Sequence, residues 1–223
     1  MIFEDYPDRD MMMMSLANRL AGDLKKCLLQ HPWASFVVPG GTTPGPIFDS
    51  LSAAALEWDR VHVFLSDERW VPESSDRSNT RLIRERLLVG RAADAQYLPI
   101  YADTETPEEG IPGLAETLAG ELPISVLLLG MGADMHTASI FPGADKLAEA
   151  LAPDAPILVP MRAPGAPEPR VTLSARVLEG AMTTHVVITG DEKRAALDRA
   201  AKLSAQEAPI ATVLKSATVH WAP

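Results

Sequence analysis

Apolar residues recur at helical spacing over residues 12–29, with Leu16, Leu20, Leu24, Cys27 and Leu28 on one stripe, and this predicts a helix. The run Ala34-Ser35-Phe36-Val37-Val38 follows, continuous and ended by Pro39-Gly40-Gly41, which is the pattern of a strand buried on both faces. Comparable runs at 61–65, 124–129, 157–159, 185–188 and 217–221 predict further strands. Helical spacing between them predicts helices over 44–56, 79–88, 107–119, 174–179 and 191–203, with Ser174 and Asp191 as N-caps. Proline- and glycine-rich stretches at 103–113 and 163–169 read as surface connections, and no internal repeat is present. Strands that alternate with helices imply an α/β fold of three layers, a mostly parallel sheet flanked by helices, and one domain over residues 1–223.

Composition narrows the class of partner. A 47% hydrophobic and 22% charged chain suits an ordered globular protein. The formal charge of −10 disfavours nucleic acid and anionic membranes, which reward clustered Lys and Arg. A small anion needs only a few cations gathered in one cleft. Cys27 is the only cysteine, so no intramolecular disulfide forms and a reducing compartment is expected. Its place on the apolar stripe reads as a packed thiol. The opening MIFEDYPDRD lacks the basic and apolar regions of a signal peptide, and no stretch reaches the length of a membrane span, so a cytoplasmic location is expected. Met11 to Met14 read as the start of a helix.

In parallel α/β sheets ligands bind beyond the carboxyl ends of the strands, and four such ends carry candidate chemistry. After the strand at 34–38, Gly40, Gly41, Thr42 and Thr43 offer backbone N–H groups and hydroxyls, and Pro44 opens a helix whose N-terminus favours an anion. After 61–65, Ser66-Asp67-Glu68-Arg69 places two carboxylates beside a guanidinium able to hold a phosphate bidentately, with Ser78-Asn79 at the next helix start. A surface salt bridge is the alternative for that block. After 124–129, Gly130-Met131-Gly132-Ala133-Asp134-Met135-His136-Thr137-Ala138-Ser139 presents a carboxylate and an imidazole two residues apart. Histidine is the natural general base near neutral pH, and a carboxylate can fix its tautomer. The fourth group joins Arg170 to Lys193, whose place in the first turn of a helix is unfavourable for a cation unless an anion is near.

The blocks VPGGTTP, SDERWVP with SN, LGMGADMHTASIFPG, RVTLS and TGDEK, in this order from residue 38 to residue 193, closely resemble the 6-phosphogluconolactonase family. The resemblance implies a fold related to glucosamine-6-phosphate deaminase and ribose-5-phosphate isomerase, with no metal or organic cofactor. It implies hydrolysis of 6-phospho-D-glucono-1,5-lactone to 6-phospho-D-gluconate in the oxidative pentose phosphate pathway. His136 matches the family's catalytic histidine, Asp134 and Asp67 its acidic neighbours, and Arg69, Arg170 and Lys193 its cationic substrate contacts, with Gly40, Gly41 and Thr42 joining the phosphate grip. The partner is then a phosphorylated sugar lactone, and the expected assembly is a monomer or weak homodimer. One departure stands out: the family commonly reads Asp-Gly-His where this chain has Asp134-Met135-His136, so a positive φ there would strain Met135.

The mechanism expected is attack by a water that His136 deprotonates, with the proton returned to the departing ring oxygen. Asp134 or Asp67 holds the imidazole or a nearby water, and loop N–H groups or a cation stabilise the oxyanion. No G-x-S-x-G elbow, Walker A loop or G-x-G-x-x-G fingerprint is present, which disfavours a serine hydrolase triad and nucleotide-binding classes. Two alternatives are an amino-sugar phosphate deaminase or isomerase on the same fold, and a non-catalytic sugar-phosphate sensing domain.

Overall fold

The computed structural model describes every residue from Met1 to Pro223. In chain order the elements are β1 (Ile2–Asp5), α1 (Arg9–Leu28), β2 (Ala34–Val38), α2 (Gly45–Ser52), β3 (Val61–Leu65), β4 (Asp67–Arg69), α3 (Asn79–Arg86), β5 (Gln96–Tyr97) and α4 (Pro107–Ala119). The second half contains β6 (Val126–Gly130), α5 (Leu147–Ala150), β7 (Leu158–Met161), β8 (Arg170–Leu173), α6 (Ala175–Glu179), β9 (Thr183–Thr189), α7 (Asp191–Ala200), α8 (Ala211–Leu214) and β10 (Thr218–Ala222). Seven strands form one sheet in the order β1-β10-β9-β6-β2-β3-β5, and every neighbouring pair in it is parallel. All five residues of β2 are buried, as expected of a central strand covered on both faces.

The longest helix shows how the sequence builds a layer. Asp8 caps α1 by accepting from the Met11 N–H at 2.8 Å, with Asp10 in the first turn. Leu16, Leu20, Leu24 and Leu28 then face the sheet, and Cys27 lies half-buried at the stripe's edge. The methionine run divides along the helix: Met12 and Met13 are inside, Met11 and Met14 outside.

The strand order places the site. From β2 the chain proceeds through β3 to β5 on one side, whereas from β6 it proceeds through β9 to β10 on the other. The loops after β2 and β6 therefore part from each other at the middle of the sheet, the switch point where α/β proteins bind ligands.

A second sheet, β4-β8-β7, is antiparallel. Ser66 is the pivot between the two: its N–H donates to Val38 O at 2.9 Å in the large sheet, and its carbonyl accepts from Leu173 N at 2.9 Å in the small one. Of residues 157–159, expected in the parallel sheet, Leu158 and Val159 open β7 here instead, with Ile157 just before it. Neither β4, β8, β1 nor β5 is evident from hydrophobic pattern. β4 is three charged residues, and its partner β8 lies about a hundred positions away, so only the folded chain makes it a strand. Val159, Val171 and Leu173 of the small sheet nonetheless belong to the same apolar core as β2 and β6.

Three local expectations change in detail. From Pro107 onward, the connection expected at 103–113 is already α4, with Glu108 and Glu109 favourably placed in its first turn. Ser174 occupies the cap position of α6, but its Oγ makes no hydrogen bond and is buried. The cap of α7 is Gly190 at φ 83°, and Asp191 is the first helical residue.

Away from the switch point, four polar side chains form a hydrogen-bonded chain with two buried histidines at its centre. Tyr6 Oη meets His220 Nδ1 at 2.9 Å, His220 Nε2 meets His185 Nδ1 at 3.0 Å, and His185 Nε2 meets Asp23 Oδ2 at 2.9 Å. If each link carries one hydrogen, both imidazoles are neutral. Burial, reinforced by the neighbouring His185 and by the charge of Arg19, pushes the His220 pKa down to about 3. In the unfolded chain an ordinary histidine takes up its proton near pH 6.5, so below that pH the unfolded state binds more protons and stability falls as pH drops toward 3. Urea unfolding followed from pH 7 down to pH 4 is expected to show this loss, and a His220→Gln variant to show a shallower pH slope.

Candidate active site

Strand β4 divides its three side chains by the two-residue period of a strand: Asp67 and Arg69 face a cleft, whereas Glu68 points the other way and is fully buried. A lone buried carboxylate would be prohibitively costly, and this one is satisfied five times. Its Oε1 accepts from the backbone N–H groups of Arg69 and Asn79, each at 2.8 Å. Its Oε2 accepts from Thr80 N and Thr80 Oγ1 at 2.8 Å and from Ser78 Oγ at 3.2 Å. Burial nevertheless outweighs these bonds and raises the Glu68 pKa above the ordinary carboxylate range. Glu68 thus caps α3 from a neighbouring strand and fixes Asn79, whose Nδ2 donates to Asp67 O at 3.0 Å. The Asn79 amide packs so closely on Gly40 that any Cβ there would overlap it. Gly41 takes φ 87°, the left-handed conformation that suits glycine, and turns the chain from β2 toward α2.

The loop after β6 carries the imidazole. His136 Nδ1 lies 2.6 Å from Asp134 Oδ1, and the His136 backbone N–H donates to the same oxygen at 3.2 Å. The His136 hydrogen bond holds the Asp134 carboxyl below its ordinary pKa, so Asp134 is an acceptor and Nδ1 carries the hydrogen. The pair folds back across Gly132, where a Cβ would collide with both side chains. His136 also packs on Phe141, with ring centroids 4.3 Å apart.

Two non-glycine residues in this loop have positive φ: Met135 at 67° and Ala138 at 49°. The strain expected at Met135 is therefore present. It is held by bonds from other parts of the chain: Ile210 N donates to Met135 O at 3.1 Å, Thr137 Oγ1 to Gly130 O at 2.9 Å, and Ser139 N to Thr172 Oγ1 at 3.2 Å.

Asp67 does not hold the imidazole. Its Oδ1 accepts from Ser66 Oγ at 2.9 Å and its Oδ2 from Ser139 Oγ at 2.6 Å, so both oxygens are engaged away from Asp134. Arg170 stands directly opposite Arg69 in the β4–β8 register, and the Nε of each is buried without a partner. Like charges placed so destabilise a sheet in the absence of a counter-ion. The Arg170 guanidinium also lies 5.2 Å from the centroid of the Phe141 ring. Burial lowers the Arg170 pKa, and the charge of Arg69 adds to that while Asp67 opposes it.

These parts enclose a cleft of about 270 Å³. Gly40, Gly41, Thr42, Asp67, Arg69, His136, Arg170 and Lys193 all line it, and Asp134 stands behind His136. Two further residues bear on the cleft. Asn79 lines it and ties β4 to the glycine turn, while Ser139, fully buried, bridges Asp67 to the histidine loop. Ser78, at the helix start visible in the sequence, caps α3 by accepting from Arg81 N at 3.2 Å, but nothing local shows that Glu68 supplies the acceptors for Asn79 and Thr80. No group of three or more His, Cys, Asp or Glu side chains is arranged to hold a metal ion. No helix is long and apolar enough to cross a membrane.

A parallel sheet whose switch point holds a histidine–aspartate pair among three cations defines an α/β protein built to handle a small anionic molecule. Comparison with known proteins makes this particular. The chain matches the profile of the Glucosamine-6-phosphate isomerases/6-phosphogluconolactonase family over residues 7–221, and it belongs to that family. A 6-phosphogluconolactonase of Mesorhizobium japonicum is 41% identical over 98% of this chain and 94% of its own length. One from Pseudomonas aeruginosa is 40% identical over 93% of this chain and 89% of its own. The crystal structure of a 6-phosphogluconolactonase from Shewanella baltica superposes with a TM-score of 0.96 at 33% identity, covering 100% of this chain and 97% of that one. A monomeric glucosamine-6-phosphate deaminase shares the fold at a TM-score of 0.82 and 14% identity, over 100% of this chain and 97% of its own.

Two substitutions test the construction. Glu68→Gln sets an amide N–H₂ against at least one of the five donors and is expected to cost about 1–3 kcal/mol in urea unfolding. Ala138→Gly relieves a left-handed alanine and is expected to stabilise by about 0.5–1 kcal/mol, the strain released less the entropy of glycine.

Proposed function

We propose that this chain hydrolyses 6-phospho-D-glucono-1,5-lactone to 6-phospho-D-gluconate. The observation that carries the proposal is the His136–Asp134 pair opening into the cleft lined by Arg69, Arg170 and Lys193. The names of the close relatives support it.

With Nδ1 donating to Asp134, His136 keeps the lone pair of Nε2 for a water molecule. His136 takes the water's proton as the oxygen attacks the lactone carbonyl, giving a tetrahedral oxyanion. Collapse of that intermediate breaks the bond to the ring oxygen, which receives the proton from the imidazolium. The freed carboxylic acid then ionises, so one proton is released per turnover at neutral pH. Asp134 fixes the ring and offsets the imidazolium charge while it lasts. The Gly40–Thr42 turn and the cations grip the phosphate, and its binding energy holds the carbonyl against His136. Asp67, bound to Ser66 and Ser139, serves as a fixed counter-charge to Arg170. The reaction lies in the oxidative pentose phosphate pathway, and a reducing cytoplasm suits the free thiol of Cys27.

Proton release from freshly generated lactone, measured against its spontaneous opening, tests the reading. The native chain is expected to accelerate it, and a folded His136→Ala variant to lose roughly 10²–10⁴ of that acceleration. Ammonia release from glucosamine 6-phosphate, without lactone opening, would establish the deaminase instead; binding of 6-phosphogluconate with neither reaction would establish a sensing domain.

A further inference from the structure

Beside the cleft, the ligand-facing arginines Arg69 and Arg170 adjoin a pair that the proposed reaction does not use, Arg77 and Glu168. Arg69 Nη1 donates to Arg77 O at 2.6 Å, and Arg77 Nε pairs with Glu168 Oε1 at 2.8 Å. Glu168 is two residues from Arg170, which stands opposite Arg69, and Trp70 N donates to Pro169 O at 2.8 Å to lock that alignment. The Glu168 side chain is only 12% exposed, whereas neither it nor Arg77 lines the cleft. The carboxylate therefore sits in the field of the two arginines that face the ligand without touching the ligand itself. Burial disfavours its charge, but the hydrogen bond of Arg77 and the charges of Arg77, Arg170 and Arg69 hold its pKa below the usual range.

We propose that Glu168 is a specificity-determining residue: a built-in counter-charge that weakens the hold of Arg69 and Arg170 on anions and so favours release of the product. This rests on the lactonase reading, in which ring opening turns a neutral ester into a carboxylate and the product leaves with one more negative charge than the substrate. A fixed negative charge behind the arginines penalises the more anionic species more. Arg77 moderates the effect by sharing the carboxylate.

The test is calorimetric binding of 6-phosphogluconate and of inorganic phosphate, together with product inhibition of lactone opening, for the native chain, Glu168→Gln and Arg77→Gln. Glu168→Gln is expected to bind 6-phosphogluconate about three- to tenfold more tightly at low salt, with a gain that shrinks as salt screens it and a smaller change in KM for the lactone. Arg77→Gln is expected to act in the opposite direction, because Glu168 then faces Arg69 and Arg170 unshared. Loss of packing alone weakens binding in both variants, so unchanged or weaker product binding in Glu168→Gln overturns the proposal. Calorimetry needs no turnover: a native chain that binds 6-phosphogluconate but leaves the lactone intact overturns the lactonase reading while the two variants still decide the role of Glu168.

Discussion

The Glu68 carboxylate, sealed from solvent and receiving five hydrogen bonds, ties the charged strand β4 to the N-terminus of α3. That bond network presses Asn79 against Gly40 on one side and against the Asp67 carbonyl on the other. The glycine turn after β2 and the Asp67–Arg69 strand thereby become one rigid wall of the cleft. A strand of three charged residues gains little from burial, so without the clamp β4 has only its ladder with β8 to hold it. Buried charge is tolerable here because both oxygens have donors waiting, two of them the Asn79 and Thr80 N–H groups that the start of a helix leaves free in any case.

The opposite wall is held by strain. Met135 and Ala138 flank His136 in left-handed conformations, and bonds from Ile210, Gly130 and Thr172 keep them there. A relaxed loop would let the imidazole wander, whereas a strained one held from three directions has a single geometry. Gly132 makes the return path possible, since only a residue without a Cβ lets Asp134 and His136 lie across it. Ser139 joins the walls, giving its hydroxyl hydrogen to Asp67 from the same loop that bears the histidine.

An acidic protein with a cationic cleft looks contradictory only at the level of net charge. Most of the acidic residues are exposed, whereas Arg69 and Arg170 are forced face to face by the antiparallel register of a short sheet. Their mutual repulsion is a stored cost that an anion relieves, and the Asp67 and Glu168 carboxylates limit it when no anion is bound.

Periodicity alone was enough for the layered α/β architecture, because fully buried parallel strands must be continuous apolar runs and the helices covering them must be striped. The residues that the fold gathers at the cleft were also legible, since Asp134 and His136 are close in sequence and glycine turns, arginines and a lysine stand at strand ends. The chain's own order of residues could not show that β4 and β8 are strands, that 157–159 leaves the main sheet, or that Glu68 is a cap and not a ligand. Nor could it choose between Asp67 and Asp134 as the partner of the histidine. Those outcomes depend on contacts between residues tens of positions apart, where the energy comes from pairing a buried charge or an unsatisfied strand edge with a group that only the folded chain brings within reach.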